Sequence, residues 1–300
     1  MIRIIVSSLP IWGYRAAVVF LCLFAAGASA RAAGPDAAAV AAPSGGGLPV
    51  LFDARERLPK PDLSAVLRVR FLTSTDFPPF NFTDQTGRLS GFHIDLIRGI
   101  CAELKIEAKC QIQAMPYEDL QTALADGQGE AVVAGIAVTE TLRRRFAFSR
   151  PYMMLPARFV RNLKATLAGE SAGALYGRPV GVVTGTAHEA MLKAFFPDIK
   201  PVGFENRAAM LDAVKAGTVD AVFADALQLS FWTASEAASG CCALFDGPFL
   251  SERFLGEGLT IMLRKQDSAL ATAFDGALAT LSRDGRLEEI YLRYFPTSLY

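Results

Sequence analysis

Two stretches that start 90 residues apart repeat one design, and this repeat limits the possible folds more than any other feature. Residues 123–135 read ALADGQGEAVVAG and residues 213–225 read AVKAGTVDAVFAD. Each is the end of a helix, a glycine, an acid, a small residue and then a short apolar run. A compact run of this kind reads as a buried strand. The chain therefore expects two similar α/β units, each offering the carboxyl end of a strand, where open sheets bind ligands. Gly135 and Asp225 occupy matching places in the two copies.

The rest of the chain alternates in the same way. Residues 67–73 alternate like a strand, and TDFPPFNF at 75–82 is a Pro-stiffened aromatic loop. Phe92, Leu96, Ile97, Ile100 and Leu104 recur at helical spacing,. Strands are expected at 111–113, 130–136, 158–162, 179–183 and 260–263. Helices are expected at 117–125, 185–196, 268–282 and 286–294. Alternation of this kind gives an α/β fold with mainly parallel sheets. A first lobe interrupted by a second, with two crossover strands between them, makes a hinged clamp.

The stretch AGIAVTETLRRRFAFSRPY at 134–152 concentrates chemistry. Thr139 stands at a helix N-cap position, and Arg143, Arg144 and Arg145 follow within the helix. Small-residue loop, free backbone N–H groups and guanidinium together suit a carboxylate. Gly185 and Thr186 open a second helix with the same capacity.

The N-terminus reads as a leader. Arg3 and Arg15 flank a long n-region, 16–28 is a short apolar core, and two small–x–small sites follow near 28–32,. The core is shorter than the roughly 20 residues of a membrane span. Residues 1–32 are accordingly read as a signal peptide and 33–66 as a linker and Pro-rich arm. Residues 67–158 with 264–300 are read as the first lobe, and 159–263 as the second lobe with the hinge strands. Lys+Arg and Asp+Glu balance at 30 each in 300 residues, which argues against a nucleic-acid partner,. An exported chain can hold disulfides. Cys101 and Cys110 are placed for a local staple, whereas a bond between the adjacent Cys241 and Cys242 should strain the peptide. The cysteine and histidine spacings do not form a metal-site pattern, and no cofactor is expected. His93 and His188 read as structural.

Taken in order, DFPPFNF, GFHIDL, PYEDLQTAL, AVVAGIAVTE, FAFSRPYM, GVVTGTAHE, VDAVFAD and DGRLEEIYLRYF resemble the family 3 extracellular solute-binding proteins, over roughly residues 67–295. The family includes the polar amino-acid receptors of ABC importers. The resemblance implies the two-lobed type II periplasmic binding fold with two crossover hinge strands. It implies no enzyme activity. It implies a periplasmic monomer that closes on a small polar solute, such as an amino acid or related organic acid, and delivers it to an ABC permease in the inner membrane. A few members of this fold are periplasmic dehydratases of prephenate-like acids, and a ligand-presenting sensor module is a further alternative.

Residue by residue, the resemblance places Phe77 and Tyr117 as opposing aromatic walls. Gly135 and Ala137 fall on the ligand-binding loop, and Thr186 and Ala187 on the N–H-donating helix start. Asp225 falls on the acid that pairs with an α-ammonium group, and Arg143 on the carboxylate side. Three positions depart from the family pattern. Leu142 stands at the family's Arg place, with Arg143 one residue later. Ala137 lacks the usual hydroxyl, and Ser74 replaces a frequent Asp.

Overall fold

Strand residues that alternate between two apolar surfaces build this molecule, seen in a computed structural model that describes residues 48–53, 55–295 and 299–300. The expected signal peptide and most of the linker lie outside the described residues. In chain order the strands of the first half are β1 (Val69–Thr73), β2 (Asp76–Phe77), β3 (Asn81–Thr83), β4 (Leu89–Ser90), β5 (Cys110–Ala114), β6 (Ala131–Val132) and β7 (Phe146–Phe148). Between them lie helices α1 (Phe92–Glu103), α2 (Leu120–Ala125) and α3 (Glu140–Arg145). The chain continues through β8 (Ala157–Asn162), β9 (Pro179–Val183), α4 (Ala187–Phe195), β10 (Lys200–Phe204), α5 (Arg207–Ala216), β11 (Ala221–Asp225), α6 (Ala226–Ala234), β12 (Cys242–Phe249) and α7 (Glu252–Leu255). It closes with β13 (Met262–Arg264), α8 (Ser268–Arg283) and α9 (Arg286–Tyr294).

The strands form two five-stranded sheets of matching design, ordered β5-β1-β6-β13-β7 and β10-β9-β11-β8-β12. In each, three strands run parallel and the other two pairings are antiparallel. The pairings are split evenly, yet four of the five strands in each sheet point the same way, in keeping with the expected mainly parallel sheets. The even split arises because β8 and β13 each enter against the direction of the other strands. A third, small sheet, β2-β3-β4, carries the Pro-rich loop.

Period-two alternation explains how each sheet is covered on both faces. Phe71 faces one core with Phe92, Phe274 and Tyr291, while its neighbour Leu72 faces another with Leu120, Leu124 and Met262. In the second sheet Phe159 and Phe223 meet Val180 and Met191, while Val160 and Val222 meet Met210 and Val214. Each such fully buried side chain contributes about 1.5–3 kcal/mol relative to leaving it in water. The strand expected over 130–136 is regular only at Ala131–Val132; the Val133 N–H still donates to the Leu72 carbonyl at 3.0 Å, and the chain then turns at Gly135, φ +71°.

Two segments join the sheets. They meet where Met153 bridges Leu259, with the Tyr152 N–H donating to the Leu259 carbonyl at 2.9 Å and the Leu259 N–H to the Met153 carbonyl at 2.7 Å. The Ser149 hydroxyl accepts from the Ile261 N–H at 2.9 Å, tying the same pair of segments on the first-sheet side.

The arm before β1 packs onto the first sheet's core through Phe52, Leu58 and Leu63, and Glu56 is paired with Arg150. Cys101 and Cys110 are bonded, joining the end of α1 to the start of β5. Cys241 and Cys242 are bonded as well, although a bond between adjacent cysteines is expected to strain the peptide. The pair lies where the turn at Ser239 and Gly240, both with positive φ, leads into β12, and its Cα atoms are 3.7 Å apart. That is the spacing of an ordinary trans peptide.

Beneath the Pro-rich loop sits His93, fully buried. Its Nδ1 faces the Asn81 Oδ1 at 2.7 Å and its Nε2 faces the Tyr152 hydroxyl at 2.8 Å. Phe77, Phe80 and Phe92 ring it. Burial pushes its imidazole down to about 3. A histidine lowered in the folded state leaves the unfolded chain holding more protons, so its stabilisation is complete above the ordinary value near 6.5 and is lost as pH falls toward 3. Unfolding free energy should therefore drop below pH 6.5 by up to about 1.4 kcal/mol per pH unit from this residue. His188, also lowered by burial, adds in the same direction, while Asp225 and Asp275, raised by burial, oppose it. Denaturant titrations at pH 7 and pH 5 on wild type and His93→Gln test this. An equal decline in both would remove His93 as the cause.

Candidate ligand-binding site

Two cavities lie at the carboxyl ends of strands, one on each sheet. The first, of about 380 Å³, follows β1 and β5 and is lined by Ser74, Asp76, Met115, Tyr117 and Glu118, among others. Tyr117 is 41% exposed, which marks it as a wall and not a core aromatic. Asp76 and Glu118 are exposed, and no basic residue among the described residues lines this cavity. Phe77 stands beside it in sequence and is half-buried, stacked on Phe80 with ring centroids 4.6 Å apart. Its ring also covers Gly135. A Cβ there would sit 2.6 Å from the ring, so glycine serves both the positive φ and the close approach,.

The second cavity, of about 280 Å³, is lined by Val183, Thr186, His188, Arg207, Met210, Phe223, Asp225 and Gln228, among others. Thr186 caps α4, its hydroxyl accepting from the Glu189 N–H at 3.3 Å and donating to the Val183 carbonyl at 2.7 Å. Asp225 ends β11 and caps α6, its Oδ1 accepting from the Gln228 N–H at 2.9 Å. Its carboxyl is only half-buried by surface, yet it lies deep among its neighbours. Desolvation pushes it above the ordinary aspartate value, against the opposing pull of the Gln228 and Leu227 N–H groups and the Arg207 charge,. An aspartate held this way gains from a cation placed against it.

The expected site residues divide between these places. Thr186 and Asp225 share the second cavity, Tyr117 lines the first, and Phe77 touches the Gly135 loop. Ala137 and Ala187 are exposed, on the loop before α3 and at the first residue of α4. Arg143 is on α3, capped as expected by the Thr139 hydroxyl. Its guanidinium forms a two-pronged pair with Glu257 and lies over the Phe148 ring. Leu142, at the family's arginine place, is buried with Leu72 and Leu124 in the core. Arg207 and Gln228 were not singled out from sequence. The signal for Arg207 was present: Asn206, a capping residue, directly follows the β10 run with only Glu205 between,.

Two sheets of matching strand order, with cavities at their strand ends and two paired connections between them, define a two-lobed solute-binding protein. The sequence profile of the bacterial extracellular solute-binding proteins, family 3, matches residues 69–297, and the chain belongs to that family. It is 31% identical to the L-arginine-binding protein of Pseudomonas aeruginosa over 248 residues, covering 80% of this chain and 92% of the relative. Among solved structures, an ancestral cationic amino acid solute-binding protein is similar at 28% identity and a TM-score of 0.55, covering 76% of this chain and 96% of the other. The second substrate-binding domain of Lactococcus lactis GlnP, in an open conformation, shares the fold at 17% identity and a TM-score of 0.64, with 77% and 96% covered.

Proposed function

We propose that this protein is a periplasmic receptor for a cationic amino acid, closing its two lobes on the ligand and presenting it to an ABC permease in the inner membrane. The observation that carries this is the pairing of an acid-lined aromatic cavity, with Asp76, Glu118 and Tyr117, with a second cavity holding Asp225. An amino acid with a positive side chain presents two cations. One suits Asp225, and the other suits the acidic cavity with its tyrosine face. The names of the P. aeruginosa relative and the ancestral protein support the same class.

Closure turns on the paired segments at Met153 and Leu259, with the two five-stranded sheets as the cores of the lobes. Contacts from both lobes supply the extra affinity for the closed form that closure requires. The protein acts as an exported monomer, with residues 1–32 removed on export. It binds its ligand without transforming it: Asp225 is held by N-cap bonds and serves as a fixed counter-charge.

A thermal-shift screen of amino acids, organic acids and amines tests the reading. Arginine, lysine or ornithine at a hundredfold excess over Kd should stabilise by about 3 kcal/mol. Stabilisation by acidic ligands with silence from the cationic ones would overturn it.

A further inference from the structure

We propose that Arg207, and not Arg143, binds the α-carboxylate of the ligand, so that the second lobe alone holds both charged ends of the amino-acid head group. The assignment rests on the amino-acid reading above. Arg143 is already committed. Its Nε donates to the Glu257 Oε1 at 3.2 Å and its Nη2 to Oε2, so a carboxylate arriving there must displace one that is already bound. Arg143 also lines neither of the two cavities. The place one residue earlier, where the family carries its arginine, is a buried leucine.

Arg207 meets the requirements that Arg143 misses. It is the first residue of α5, just beyond the carboxyl end of β10, and Asp225 ends the strand β11. Both strands run parallel to β9, which lies between them, so the two residues reach the same rim of the sheet. They line one cavity of about 280 Å³, and the Arg207 charge is felt at the Asp225 carboxyl. The Nη1 of Arg207 donates to the side-chain oxygen of Gln228, a neutral partner on the same wall. A guanidinium so engaged keeps its charge and most of its five donors for an anion. The cavity thus presents one cation and one anion close together, the complement of an ammonium and a carboxylate on a single carbon. The first-lobe cavity, with Asp76 and Glu118 and no lining cation among the described residues, would repel a carboxylate and is left to the side chain.

Calorimetry on the full mature protein with L-arginine and with agmatine, the same molecule without the carboxylate, tests this. Arg207→Gln should weaken L-arginine binding by roughly 30-fold or more and leave agmatine affinity within about threefold. Arg143→Gln should leave L-arginine affinity within about threefold. Arg207 is exposed, so the unliganded variant should melt with wild type, which separates a lost contact from a damaged fold. Wild-type affinity in Arg207→Gln, or a large loss confined to Arg143→Gln, overturns the assignment. An equal loss for both ligands in Arg207→Gln also overturns it, since the residue would then not be reading the carboxylate. A wild-type protein that binds no amino acid defeats the amino-acid reading itself, and the assignment with it.

Discussion

Replacing Asp225 by asparagine should weaken binding of the amino-acid ligand by roughly 30-fold or more and leave the unliganded fold at least as stable as wild type. The two effects separate because Asp225 has a capping role in the fold and a second, counter-charge role in the proposed site. As the cap of α6 it accepts the Gln228 N–H, and asparagine caps a helix as well as aspartate does. As a counter-charge it stands desolvated with its proton affinity raised. Removing one partner of such a charge pair typically costs about 2–5 kcal/mol of binding. Without ligand the same carboxylate is a burden: a raised aspartate holds its proton more tightly in the folded chain, so its ionisation at neutral pH disfavours the fold. Affinity should accordingly fall on acidification through a value above 3.8, with a proton released on binding in that window. Calorimetry of Asp225→Asn with the best ligand decides it. Unchanged affinity would show that the ammonium is held elsewhere.

Gly91→Ala should destabilise the protein by about 3–5 kcal/mol, the largest effect expected of a one-methyl change here. Gly91 precedes α1 with φ +128°, and a Cβ would lie 2.2 Å from the Phe80 carbonyl oxygen. That oxygen accepts the His93 N–H at 2.8 Å, and the Pro79 carbonyl accepts the Phe92 N–H at 3.0 Å. The contact therefore cannot open without giving up the bonds that seat α1 on the Pro-rich loop. Urea denaturation of the variant measures the cost. A loss under about 1 kcal/mol would mean that the loop yields at little expense.

What the sequence made legible followed from patterns that act locally. The boundaries of β9 and α9 were read as the structure has them, because Pro and Gly punctuate apolar runs at both ends. The motif order also identified the family. Asp225 and Thr186 were found as cavity residues because each ends a strand-to-helix connection and caps the helix that follows. The pairing of Arg143 with Glu257 is not legible in the sequence, because the two are 114 residues apart and no local pattern encodes it. Arg207 was passed over for a related reason. The β10 segment KPVGF is short and carries a proline and a glycine, so its strand character comes from the β9 ladder and not from its own propensity.

The placement of β13 governs the order in which the molecule can be completed. All five strands of the second sheet come from one continuous stretch, 157–249. The first sheet lacks the strand between β6 and β7 until Met262–Arg264 has been made, and its core lacks α8 and α9 until residue 294. A chain synthesised N-terminus first therefore completes the inserted lobe while the lobe that began earlier is still open, with β7 lacking its neighbour. The half of the protein synthesised first is the half finished last, and its exposed strand edges are the surface a chaperone would have to guard until β13 is in place.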